Sequence, residues 1–173
     1  MAKKKSVNVS KVIMTEMVLP NDTNTLDNLM GGRLMHWMDI CAAIAAQKHS
    51  NRTVVTASVD NISFGKPIPL GSVVTFESHV TRAFNSSMEI YIKATPEKIP
   101  FGIKPEASNH AFFTFVAVDQ GGHPIEVPEV VPETDEEKEL YAGALRRRQL
   151  RLVLAKRMKA SEATELKAYL DLP

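Results

Sequence analysis

The order of residues predicts an α+β domain: a long helix covering an antiparallel sheet, and an added helix at the C-terminus. Three observations carry this. The stretch GGRLMHWMDICAAIAAQK is apolar on almost every side at helical spacing, as in a helix buried on more than one side. After it come four segments rich in β-branched and aromatic residues, separated by Pro-, Gly- and Asn-containing turns. Finally, ETDEEKELYAGALRRRQLRLVLAKRMKA places acids in its first turns and bases in its last, the order a helix dipole favours. One helix followed by a run of strands is the pattern of an antiparallel sheet with a helix on one face.

The elements follow in order. Residues 1–10, MAKKKSVNVS, have the cations of a secretory leader but no uninterrupted apolar run after them. They read as a flexible arm, frayed at Lys3–Lys5. VNVSKVIMTEMVLP holds a β-branched run ending at Pro20, a first strand, and NDTNTLDN is turn chemistry. The helix spans about Gly32 to His49 and closes at the polar HSNR. TVVTASVDNISF is a strand, followed by a loop at Pro67, Pro69 and Gly71. In SVVTFESHVTRAF, Val74, Phe76, Ser78 and Val80 alternate with Thr75, Glu77, His79 and Thr81, as in a half-buried strand. The NSS turn sends the chain back through MEIYIKATP, an antiparallel hairpin. SNHAFFTFVAVD is the last strong strand, stopped by QGGHP. The C-terminal helix begins after Pro132, and Glu162–Pro173 is a short mobile tail. The expected division is an arm at 1–10, the sheet-and-helix domain at 11–131 and a helical extension at 132–173.

Bulk properties exclude several classes. At 173 residues the chain is one domain, and 44% hydrophobic with 24% charged residues is ordinary globular composition. A net charge of +1 gives no global attraction to nucleic acid or anionic membrane. No apolar run is long enough to span a bilayer. The single cysteine, Cys41, permits no intramolecular disulfide, and Cys/His metal spacings are absent. The expectation is a reduced, cytoplasmic compartment and no metal.

The central helix carries one acid, Asp39. In one reading Arg33, His36, Asp39 and Gln47 form a narrow polar stripe facing solvent. In the other, Asp39 faces a cleft and serves as a base. The helix start adds free backbone N–H groups at Gly32 and its neighbours Gly31 and Arg33, suited to a developing oxyanion. Asp39 stands about 10 Å along the helix from that end, too far for one helix to hold one carbonyl with both groups. A site using both needs a second copy of the helix, hence a dimer.

These residues, with LPNDTNTLDNLMGGRLMHWMDICAAIAA, VVTASVDNISFGKPIPLGSVVTFESHVTRAFNSSMEIYI and FTFVAVDQGGHPIEVP, resemble the hotdog-fold acyl-CoA thioesterases, in particular the bacterial YciA-like enzymes and mammalian cytosolic acyl-CoA hydrolases. The resemblance covers about Met14 to Pro128. It implies a helix wrapped by a curved sheet, two such units paired edge to edge as a homodimer, and trimers of dimers. It implies hydrolysis of acyl-CoA to an acid and CoA with no cofactor. It assigns the essential acid to Asp39 and an essential Asn to Asn28, acting together across the dimer interface; the helix N-terminus places Gly32 N–H at the oxyanion. Relatives often have Gly where Asp27 stands.

Other residues divide between chemistry and structure. Asn24, in the same turn as Asp22, could line the mouth of the site or serve the turn alone. Ser86 and Ser87 occupy a turn that lies near CoA in relatives. Arg146, Arg147 and Arg148 could bind CoA phosphates, or form a solvated face; no aromatic interleaving supports nucleic acid. Asp60, Phe64 and Pro67 read as strand-end and packing residues, and Cys41 as core. Two rival functions remain: a hotdog acyl-thioester dehydratase, disfavoured because no His precedes Gly31, and a non-catalytic acyl-CoA sensor.

Overall fold

The structure, a computed structural model, describes residues 4–60, 62, 65–99, 102 and 109–171. Phe64 lies outside the described residues. The strands are β1 (Lys4–Ser6), β2 (Val12–Met17), β3 (Thr53–Asp60), β4 (Val73–Ala83), β5 (Ser87–Glu97), β6 (Asn109–Val118) and β7 (Glu129–Val131). The helices are α1 (Gly31–Ser50), α2 (Asp135–Leu154) and α3 (Thr164–Tyr169). Five strands form one antiparallel sheet in the order β2-β4-β5-β6-β3, with α1 on its inner face and α2 on its outer face.

Helix α1 ends where Asn51 adopts a left-handed conformation, φ 54°, with its N–H on the Gln47 carbonyl, a role that suits Asn. Its small residues Cys41, Ala42, Ala45 and Ala46 are fully buried and bring the helix close to the sheet. The alternation in β4 points Val74, Phe76, Ser78 and Val80 inward as expected. Register then sets the inner face of the neighbours: Phe76 faces Ala94, Val80 faces Ile90, and Ile90 faces Phe113. Trp37 on α1 meets Phe76 edge-on, with ring centroids 6.1 Å apart.

The outer face is polar but not solvated. Glu89 on β5 is 1% exposed, receiving Arg147 Nε at 3.0 Å and Nη2 at 2.7 Å, while Thr81 Oγ1 donates at 2.6 Å. The same guanidinium lies 3.9 Å from the Phe112 ring centroid. A bidentate, buried pair of this kind fixes α2 on the sheet. Arg151 adds a 2.7 Å bond to Asp60 at the end of β3. The helix opens with a reciprocal cap, Thr134 Oγ1 accepting from Glu137 N and Glu137 Oε2 from Thr134 N.

Two expectations of mobility are corrected. Residues 4–10 are not a loose arm: β1 pairs in parallel with β7, Val7 is 1% exposed, and Ser10 Oγ accepts from Val80 N at 3.0 Å. The C-terminal tail is also docked. Gln149 Oε1 accepts from Leu166 N at 2.9 Å, and Arg146 lies 4.4 Å from the Tyr169 ring centroid. Both contacts are long-range and leave no local pattern. None of the described helices is long and apolar enough to cross a membrane.

Removing one partner from the Glu89–Arg147 pair strands a buried charge. Arg147→Ala should therefore lower unfolding free energy by about 3 kcal/mol, read from urea titration. Two histidines tie stability to pH. Burial pushes both His49 and His79 below their ordinary value of 6.5; the Pro128 carbonyl opposes this at His49, and the cation of Lys11 adds to it at His79. Because the unfolded chain then binds protons more readily, stability is full above pH 6.5 and declines as pH falls toward the folded-state values. The urea midpoint should drop between pH 7.5 and 5.5, and drop less in His49→Gln.

Candidate active site

The loop before α1 is built by hydrogen bonds within it and to the loop before β4. Asp22, 5% exposed, accepts from Leu19 N and pairs with Arg33 Nε at 2.9 Å. Its carbonyl receives Met30 N, while Leu29 N bonds to Ile68 O and Leu70 N to Asp27 O. Asp27 has a left-handed φ of 54°. That conformation is easy for Gly and tolerable for Asp, so the residue changes without changing the turn.

Asn24 and Asn28 differ in what they leave free. Asn24 Oδ1 accepts from Leu26 N at 2.9 Å and Asn28 N at 3.2 Å, so its amide is pinned and its Nδ2 has no partner among the described residues. Asn28 donates its Nδ2 to Leu26 O at 3.0 Å, and its backbone bridges Pro69. Asn24 is thus an exposed, oriented donor, whereas Asn28 is partly committed to holding the loop.

At the start of α1, Met30 O receives both Arg33 N and Leu34 N at 3.0 Å. Arg33 N–H is therefore taken, and its side chain is held by Asp22 rather than by solvent alone. The N–H groups of Gly31 and Gly32 remain as anion donors. Gly32 is exposed, and a Cβ there would meet nothing within 4 Å, so a substrate carbonyl has room to approach.

Asp39 is half-buried and points to the edge strand β3, where Thr56 Oγ1 donates to its Oδ1 at 2.8 Å. The polar stripe of Arg33, His36, Asp39 and Gln47 does lie on the open side of α1, but it shares that side with Met35, Ile40 and Ile44, 36%, 38% and 40% exposed. His36 is exposed and makes no bond to Asp39. Cavities of about 580, 340 and 380 Å³ occur elsewhere in the single chain and none is lined by Asp39. The carboxylate instead lies on the open face of α1 beside the unpaired sheet edge.

A bulge in β3 aims Thr56. Thr56 faces Phe115, Ser58 faces Thr114 and Asp60 faces Phe112, with the irregularity between Thr56 and Ser58. Phe115 is an inner core residue and Phe112 an outer one. The extra residue thus lets one strand present Thr56 to α1 and Asp60 to α2. Sequence reasoning missed Thr56, since a Thr in a β-branched strand carries no local mark.

The remaining candidates disperse. The Ser86 and Ser87 carbonyls accept from Ala117 N and Phe84 N, which fixes the β4–β5 turn. Arg146 packs on Tyr169, Arg147 is the latch to Glu89, and Arg148 lies 4.6 Å from the Phe84 centroid, so the three arginines do not form one patch. No group of His, Cys, Asp and Glu able to hold a metal exists among the described residues.

Comparison with known proteins gives consistent matches. Residues 26–101 match the family model of the Thioesterase superfamily. The chain is 45% identical over 138 residues to the uncharacterized acyl-CoA thioester hydrolase YkhA of Bacillus subtilis, covering 80% of each. A hexameric acyl-CoA thioesterase crystallised in its apo form superposes with a TM-score of 0.84 at 38% identity, over 88% of this chain and 97% of that one. An acyl-CoA hydrolase of Staphylococcus aureus, in complex with butyryl-CoA, CoA and CoA disulfide, gives 0.80 at 37% identity, over 95% and 99%. That enzyme has also been solved with alanine in place of an Asp, of a Thr seventeen residues after it, and of an Asn fifteen residues before it. The same steps from Asp39 lead to Thr56 and Asn24.

Proposed function

The chain belongs to the thioesterase superfamily, and from that premise we propose that it hydrolyses acyl-CoA to a free carboxylic acid and CoA with Asp39 as the reacting carboxylate. The observation that carries this is the Thr56–Asp39 hydrogen bond on the open face of α1, with Gly31 and Gly32 N–H groups free at the start of the same helix. Thr56 occupies Oδ1 and orients the carboxylate, leaving Oδ2 for chemistry. Asp39 takes a proton from water as it attacks the thioester carbonyl, or attacks that carbonyl itself to form an anhydride that water opens. In either route the carbonyl oxygen gains charge, and the Gly31 and Gly32 N–H groups offset it. In the first route the C–S bond then breaks and the CoA thiolate takes the proton held by Asp39. In the second the C–S bond breaks as the anhydride forms, and the water that opens the anhydride supplies the thiolate's proton and restores the carboxylate.

Asn24 takes the role that the sequence reading gave Asn28. Its amide is pinned through Oδ1 with Nδ2 free, and its spacing from Asp39 matches the Asn replaced in the S. aureus enzyme. Asn28 supports the loop that carries it. Gly32 and Asp39 are about 10 Å apart along one helix, so Asn24 and the glycine N–H groups serve from one protomer and Asp39 from the other. The exposed apolar residues Met35, Ile40 and Ile44, beside the edge strand β3, are the surface a second copy covers. Three such dimers would form the hexamer seen in the apo relative.

Asp39→Asn should lower kcat by at least about a hundredfold while the oligomer stays folded; thiol release from a panel of acyl-CoAs reads this, and wild-type turnover would sink the assignment. Thr56 is a positioning residue. Thr56→Val should lower kcat by roughly tenfold or more, and Thr56→Ser, which restores the donor, should recover most of it. Ile40→Glu with Ile44→Glu should give monomers in sedimentation and abolish hydrolysis; a fully active monomer would show that the site is complete in one chain.

A further inference from the structure

Strand β3 lies at the edge of the sheet and is bonded within the chain to β6 alone. Its irregularity divides it in two. Before it, Thr56 donates to Asp39 at 2.8 Å; beyond it, Val59 packs on the core and Asp60 turns to α2. Ala57 is the extra residue: Thr56 faces Phe115 and Ser58 faces Thr114, and Ala57 has no partner across the ladder. A one-residue slip that removed the bulge would turn one half of the strand over. Either Thr56 would leave Asp39, or Val59 would leave the core and Asp60 enter it.

The outer half is held by Arg151. Its Nη1 donates to Asp60 Oδ2 at 2.7 Å, and the two side chains are only 19% and 21% exposed. Among the described residues this is the one hydrogen bond between α2 and β3. Two neighbours that could share the task do not: Ser58 Oγ and Thr114 Oγ1, opposite one another in the ladder, are buried without a hydrogen-bond partner. Removing one member of so enclosed a pair leaves the other charge largely out of water. Arg151 is itself fixed in space, because Arg147, about one helical turn earlier, is latched to Glu89.

We propose that Arg151 and Asp60 are positioning residues for hydrolysis: their pair sets the register of the β3 bulge, and with it the direction from which Thr56 bonds Asp39. The proposal rests on Asp39 being the reacting carboxylate of an acyl-CoA hydrolase. Asp60 stands four residues from Thr56, roughly 12 Å at strand rise, so the pair acts through the strand and not on the reacting atoms. A small displacement of Thr56 suffices, because a hydrogen bond weakens steeply as its angle closes and a misplaced reacting group loses rate. Arg151 lies outside residues 26–101, the segment that matches the superfamily. A helix beyond that segment thus governs the rate of the reaction carried out within it.

The test uses the full chain, with thiol release from acyl-CoA and amide hydrogen exchange as readouts. Arg151→Gln and Asp60→Asn should each lower kcat at least about threefold while KM stays within about twofold. Arg151→Lys keeps the cation and one donor, enough for a single bond to Oδ2, and should recover most of the loss. In a Thr56→Val background, Arg151→Gln should lower kcat no further, because the pair acts through that hydroxyl. A fully additive loss, as from damage elsewhere in the fold, overturns the proposal. So does a rise in KM with kcat intact, which would give Arg151 to substrate binding. Hydrogen exchange needs no substrate: the amides of residues 56–60 should exchange at least about threefold faster in Arg151→Gln. Unaltered exchange overturns the link whatever the chain hydrolyses. Inactivity of the wild-type chain toward acyl-CoA overturns the function and the proposal with it, and the exchange result tells that failure from failure of the link.

Discussion

A single five-stranded sheet can cover only one side of a twenty-residue helix. That constraint organises the rest of this molecule. Cys41, Ala42, Ala45 and Ala46 turn the small side of α1 to the sheet and are fully buried. The opposite side keeps Met35, Ile40 and Ile44 more than a third exposed, with Asp39 among them. The hydrophobic effect penalises such a stripe in water, and the bare edge of β3 beside it offers unpaired backbone groups. A second copy would answer both deficits, and under the proposed function the acid is interfacial because it stands where the helix is left uncovered.

The edge strand serves two layers at once. Strict alternation would point Thr56 and Asp60 to the same face. The irregularity after Thr56 shifts the alternation by one, so that Thr56 meets Asp39 and Asp60 meets Arg151. The strand that orients the carboxylate is therefore also tied to α2, and α2 is fixed in turn by the buried Glu89–Arg147 pair. Displacing that helix would disturb the strand that holds Asp39. The C-terminal extension in this sense supports the Asp39–Thr56 pair without touching it.

Polar residues in this chain acquire meaning from what already occupies their atoms. Asn24 and Asn28 are equivalent by type and four residues apart, but one has its oxygen pinned and its donor free, and the other spends its donor on the loop. Adjacent arginines diverge likewise: Arg146 stacks on Tyr169, Arg147 neutralises Glu89, and Arg148 lies over Phe84. Neighbours in sequence on a helix point about 100° apart, so a basic run need not be a basic patch.

By itself the sequence determined the α+β class, the long helix, the inward side of β4, the hairpin after it, and Asp39 as the acid in question. These follow from periodicity, turn residues and the position of one charge in an apolar stretch, all of which are local. The family resemblance added the thioester chemistry on the strength of motifs in order. Only the tertiary structure decided that Thr56 orients Asp39, that Asn24 is the free amide, that Arg33 N–H is already used, and that residues 4–10 and the tail after α2 are docked. The reasons are two. Thr56, residues 4–10 and the tail depend on a register shift or on contacts between segments distant in sequence. Asn24 and Arg33 depend on which atoms of a turn and of a first helical turn are already bonded. Neither leaves a period in the chain to read.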